Sequence, residues 1–87
     1  MSIEEIEVKL KDMISKFDII VSAEEIDENT NLSKIGIDSM SVIKLVVLIE
    51  KEFSIEFGDE EMTPKNIETI GKISKFILNK MNSENKN

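Results

Sequence analysis

The chain contains no cysteine and no histidine, which removes a thiol nucleophile, an imidazole base, a Cys/His zinc site and any disulfide of its own. Most side-chain routes to catalysis go with them. Arginine is absent as well: all 11 basic residues are Lys, they face 18 acidic residues, and the net charge is -7. Such a surface repels phosphate backbones and anionic lipid, so nucleic acid and membrane are disfavoured and a basic protein partner is favoured. Long apolar runs are missing too. The longest, Leu45 to Ile49, is far too short to span a bilayer, and the first residues, Met1-Ser2-Ile3-Glu4-Glu5, are acidic rather than leader-like. The cytoplasm is therefore the expected location. There are no internal repeats, no low-complexity linker and no convincing alternation of a strand, since Ile55 and Phe57 alternate for too short a run.

What remains is one small domain. Its 87 residues, 40% hydrophobic and 33% charged, can form a modest core and are not the composition of a disordered chain. Abundant Ile together with Lys as the sole basic residue reflects the bias of an AT-rich, bacterial genome rather than a function. Apolar residues at Ile3, Ile6, Leu10, Met13, Phe17 and Ile20 recur in steps of three and four and predict an amphipathic helix over residues 3–20. Ser2 and Glu5 form a capping box at its start. From Ser22 to Asp38 the chain is polar, with Ile26, Leu32, Ile35 and Ile37 irregularly spaced. This predicts a long ordered loop, which those apolar residues pin onto the helices. A second helix is expected over residues 39–53 with Asp38 as N-cap, then a short helical turn over 60–63 that Pro64 limits, then a helix over 70–81 capped by Thr69. The expected architecture is all-α, a small bundle of three to four helices: a domain of residues 1–81 and a polar tail of 82–87.

Gly36-Ile37-Asp38-Ser39-Met40 runs directly into the central helix, which carries two apolar stripes. Val42, Leu45, Val46, Ile49 and Phe53 suffice to bury one face. Met40, Ile43 and Val47 form a second stripe rotated away from the first. Either the helix is surrounded and both stripes are core, or the second is an exposed patch of the kind that marks a protein interaction site. So short a chain can hardly enclose a helix completely, which favours the patch.

These residues resemble the acyl carrier protein family. Gly36-Ile37-Asp38-Ser39-Met40 is similar to its phosphopantetheine attachment motif, and the order of elements, from an amphipathic first helix to a Thr69-initiated last one, matches over roughly Ile3 to Ile77. The resemblance implies a carrier and not an enzyme. It implies a 4'-phosphopantetheine arm, derived from coenzyme A and attached by a phosphopantetheinyl transferase through the Ser39 hydroxyl, that holds acyl or aminoacyl intermediates as thioesters. Asp38 would cap the helix and serve transferase recognition, and a serine at a helix start suits the phosphate because the helix N-terminus favours an anion. Met40, Ile43, Lys44, Val47 and Lys51 fall where partners of the family dock. Those partners are an acyl- or aminoacyl-loading enzyme and a ketosynthase or other condensing enzyme, with the carrier itself a monomer.

One departure matters. Fatty-acid carriers present an acidic second helix, whereas from Ser39 to Phe53 two Lys balance two Glu, and the acidity lies in residues 1–38, with ten acidic residues against four Lys. Steering toward a basic fatty-acid enzyme is weakened. The stretch Met62 to Ile70 is also more similar to carriers of polyketide and nonribosomal peptide systems. A free-standing carrier of a specialised pathway is the reading this supports. A housekeeping carrier of fatty acid synthesis and an unmodified helical interaction module are the alternatives. Asp27-x-Asn29-x-Asn31 has a passing likeness to a calcium loop but fails at Leu32, where a Gly is needed, and at Asp38, where a bidentate Glu closes such a site.

Overall fold

The first helix begins where the capping chemistry places it. Glu5 N–H donates to Ser2 Oγ at 3.2 Å, Ser2 N–H donates to Glu5 Oε1 at 2.8 Å, and α1 spans Ile3–Ser15. The structure is a computed structural model and describes residues 1–84. It ends α1 five residues before the expected 20. The fully buried stripe is Ile6, Leu10 and Ile14, and no residue after Ile14 in this segment is fully buried. The Ser15 hydroxyl donates to the Asp12 carbonyl at 2.7 Å, a side-chain bond that competes with the helical ladder. The β-branched run Ile19-Ile20-Val21 then leaves the helix, and Ile20 N–H donates to the Ile35 carbonyl at 3.0 Å. Phe17 lies beyond the helix, half-buried against the core, and Ile20 is 75% exposed.

The segment from Ser22 to Asp38 is ordered, with short 3₁₀ turns at Ala23–Glu25 and Leu32–Ile35. Ile26, Leu32, Ile35 and Ile37 are all buried. Two backbone bonds tie this loop to the C-terminal part of the chain: Leu32 N–H donates to the carbonyl of Glu68, just before the last helix, at 3.0 Å, and Gly71 N–H, within that helix, donates to the Glu28 carbonyl at 2.8 Å. The second satisfies a first-turn donor of that helix, which has no intrahelical partner. It also explains the glycine, because a Cβ at position 71 would lie 2.9 Å from the Glu28 oxygen.

Helix α2 spans Ser39–Phe53 as expected and closes on Ser54 in the left-handed region, φ 56°. The single turn expected over 60–63 is in fact two. A 3₁₀ turn occupies Asp59–Glu61, and a separate helical turn, α3, spans Pro64–Ile67. Pro64 opens that turn rather than limiting one: at the first helical position its missing N–H would have had no partner anyway. Helix α4 spans Ile70–Glu84, with Lys72 N–H donating to Thr69 Oγ1 at 3.2 Å. It continues three residues past the expected end at 81. Residues 85–87 of the expected tail lie outside the described residues.

Together the helices make a small all-α bundle in which α1 packs against α4 and α2, and α3 against α4. Among the described residues extended pairing is limited to an isolated bridge between Asn31 and Thr69. The core joins Ile6, Leu10 and Ile14 of α1 to Leu45, Ile49 and Phe53 of α2 and to Ile70, Ile73 and Ile77 of α4. Ser74 is buried among them and donates to the Ile70 carbonyl at 2.8 Å. Ile55 is also core, and Phe57 stacks on Phe76 with ring centroids 4.7 Å apart, which holds the segment after α2 to α4. No helix among the described residues is long and apolar enough to cross a membrane.

Candidate functional site at the start of the second helix

Three backbone features in succession present Ser39. Gly36 closes the Leu32–Ile35 turn in the left-handed region, φ 101°, a conformation that costs an L-residue about 1–2 kcal/mol. Ile37 then drops into the core, 2% exposed, and its N–H donates to the Leu32 carbonyl at 3.1 Å. Asp38 follows as the N-cap of α2, with Ser41 N–H donating to Asp38 Oδ1 at 2.9 Å. Ser39 is thereby fixed as the first helical residue, on the surface. Gly36→Ala is expected to cost about 1–2 kcal/mol in urea unfolding. A loss below about 0.5 kcal/mol would show that the left-handed turn is not what orients the motif.

The backbone amide of Ser41, and then its side chain, hold the Asp38 carboxyl below the usual carboxylate range. The folded value lies under the unfolded one, so this part of the cap's stability is present above about pH 3.9 and lost as pH falls through the folded value. The Ser41 backbone amide is thus committed to Asp38. The Ser39 side chain, by contrast, is exposed and has no hydrogen-bond partner among the described residues. Two serines two positions apart differ in exposure, Ser39 open to solvent and Ser41 half-buried, a distinction the dipeptide pattern does not make.

Beside Ser39 lies an open groove of about 530 Å³ whose apolar lining comes from Leu32, Ile37, Val42, Ile43, Met62 and Ile67. Sequence reasoning assigned no role to Met62 or Ile67. The helix start and the groove together fit a phosphopantetheine arm: a free primary hydroxyl for the phosphodiester, the positive end of a helix for the phosphate, and an apolar trough alongside.

The expected partner-facing stripe is exposed. Met40 is 72%, Ile43 55% and Val47 44% exposed, while Leu45, Val46, Ile49 and Phe53 are buried on the opposite side. Val42 is only half-buried and packs at the edge of the core. Leu48, at 43%, belongs to the exposed face as well, and its place on a helical stripe with Lys44 and Lys51 was the available signal. Lys44 and Lys51 are exposed and line shallow grooves between α2 and the C-terminal half of α1. The Asp27, Asn29 and Asn31 pattern serves the loop's own turns. Asp27 Oδ1 accepts Asn29 N–H at 2.9 Å, and Asn31 Oδ1 accepts the Ser33 N–H and hydroxyl at 3.0 and 2.7 Å.

Against known proteins, residues 8–77 match the family described as phosphopantetheine attachment site. An acyl carrier protein of Buchnera aphidicola subsp. Schizaphis graminum is 36% identical over 76 residues, covering 86% of this chain and 92% of the relative. One from Wolinella succinogenes is 36% identical over 58 residues, covering 66% of this chain and 74% of the relative. Among solved structures, the Bradyrhizobium japonicum glycine:[carrier protein] ligase complexed with glycylated carrier protein contains a chain that superposes with a TM-score of 0.65 at 20% identity, covering 84% of this chain and 95% of that one. That likeness is one of fold.

Proposed function

The chain belongs to the acyl carrier protein family, whose members carry a covalent 4'-phosphopantetheine and do not catalyse, and on that premise we propose that Ser39 bears the arm and that the protein serves a specialised pathway of polyketide or nonribosomal peptide type. The observation that carries the first half is the exposed, unbonded Ser39 hydroxyl at the first position of α2. In the transferase reaction its oxygen forms the bond to the pantetheine-side phosphorus of coenzyme A's pyrophosphate as the P–O bond to the other phosphate breaks, so adenosine 3',5'-bisphosphate leaves and the hydroxyl proton is released. Asp38, held ionised by Ser41, keeps the helix start rigid beneath it and offers the transferase an anionic contact. When attached, the arm supplies a terminal thiol that holds an acyl or aminoacyl group as a thioester, which this cysteine-free chain lacks by itself. The first-turn amides favour the phosphate, and the apolar groove shelters the proximal arm.

The partners are a phosphopantetheinyl transferase, an acyl- or aminoacyl-loading enzyme and a condensing enzyme, met by a monomer in the cytoplasm through Met40, Ile43, Lys44, Val47 and Lys51. The carrier unit comprises residues 1–81. Support for the specialised pathway comes from α2, where Lys44 and Lys51 stand exposed. A fatty-acid ketosynthase with a basic docking patch meets like charge there. The holo protein is expected to be a poor substrate for fatty-acid elongation, improved by Lys44→Glu with Lys51→Glu, and most improved at low salt. Elongation by the unaltered protein at the rate of an acidic carrier would place it in fatty acid synthesis.

A further inference from the structure

Helix α2 carries four charged residues, and the fold spends two of them. Glu50 Oε2 accepts the Phe57 N–H at 2.9 Å, and Glu52 pairs with Lys9 of α1 at 2.9 Å. Lys44 and Lys51 have no ion-pair partner among the described residues. They lie seven residues apart, two helical turns or about 10 Å along one face, and Val47 and Leu48 sit between them. Across the grooves lie exposed Val8 of α1 and Lys16 at its C-cap, the latter paired with Asp12 at 3.4 Å. Asp18 is the one carboxylate lining these grooves without a lysine partner among the described residues. On a chain of net charge -7 this face is an apolar strip bracketed by free cations.

We propose that the face of α2 from Lys44 to Lys51, with the adjoining groove against α1, docks a protein helix that presents an apolar strip between two carboxylates. The inference deepens the carrier reading and rests on it only for the partner's identity as a loading or condensing enzyme. Charge complementarity decides the occupant. A basic element would face two unpaired lysines at contact range, while of the carboxylates lining the same grooves Glu52 and Asp12 are already paired with Lys9 and Lys16, which leaves Asp18 alone against the two free cations. A neutral apolar element would leave the lysines unmatched at its ends.

The test uses the full-length chain, ¹⁵N-labelled, and two synthetic amphipathic helical peptides that differ only at two positions seven apart, Glu in one and Lys in the other. At low salt the Glu peptide should shift the amides of residues 44–51 and of Val8, and bind roughly fivefold more tightly, as expected for two exposed ion pairs. The preference should fade in about 1 M salt. Lys44→Glu with Lys51→Glu should reverse it while leaving the far-ultraviolet spectrum unchanged. Equal or stronger binding of the Lys peptide overturns the proposal, as do shifts confined to the groove beside Ser39, or a self-associated dimer whose face neither peptide can reach. Ser39→Ala should bind the Glu peptide as the parent does, so failure of Ser39 modification and failure of this docking chemistry are read separately.

Discussion

Ser39→Ala is expected to abolish modification completely. Incubation of the parent chain with coenzyme A, Mg²⁺ and a broad-specificity phosphopantetheinyl transferase should add a single phosphopantetheine to the intact mass, and the variant should gain none. The effect is all-or-none because the new bond is made by one oxygen, and the chain has no cysteine to divert the chemistry. Folding is not at stake. Ser39 is exposed, it makes no hydrogen bond among the described residues, and the cap that starts α2 belongs to Asp38 and Ser41. An unchanged helical spectrum therefore separates loss of the site from loss of structure. Ser41→Ala is the control: Ser41 caps Asp38 through its backbone amide, which alanine keeps, and transfer should stay intact. Modification that persists in Ser39→Ala and disappears in Ser41→Ala would move the site by two residues. A parent chain that is never modified would favour the unmodified interaction module.

Phe53→Ala should cost about 3–5 kcal/mol, the range for removing a buried aromatic ring from a packed core. Phe53 is 5% exposed at the last position of α2 and belongs to the same cluster as Ile6, Ile49 and Ile73. A domain of this size has only about 5–10 kcal/mol of stability to lose, so the variant should be largely unfolded at moderate urea or a few degrees above room temperature. Truncation of Met40, 72% exposed on the same helix, should change stability by no more than about 0.5 kcal/mol. Urea melts of both variants test the assignment of the two stripes directly. Comparable losses would mean that α2 is enclosed on both faces and that no docking surface exists on it.

The local punctuation of this fold was legible in the amino-acid order. Ser2 with Glu5, Asp38 with Ser41 and Thr69 with Lys72 each satisfy orphan amides within three residues, so the start of every long helix follows from neighbours in the chain. Pairing within the chain's own apolar periodicity likewise separated Leu45, Val46, Ile49 and Phe53 from Met40, Ile43 and Val47.

Burial at the end of α1 was a different matter. Met13 and Phe17 continue the period of Ile6 and Leu10 as well as Ile14 does, and it is the surface offered by α4 and α2 that buries Ile14 fully and leaves Met13 and Phe17 half-buried. Pro64 can close a turn or open one, and the choice falls to the segment packed against α4. The charge on α2 changed most between the two levels. As a string of residues the helix is balanced, two Lys against two Glu. Folding brings Lys9 across 43 positions to Glu52 and turns Glu50 toward Phe57, so the lysines alone are left to meet a partner. Sequence alone determined the helix starts, the two stripes of α2 and the motif at Ser39, because these rest on contacts within a turn or two. Tertiary structure decided the burial at the end of α1, the groove beside Ser39 and the free charge on α2, because each depends on which distant segment comes to lie against it.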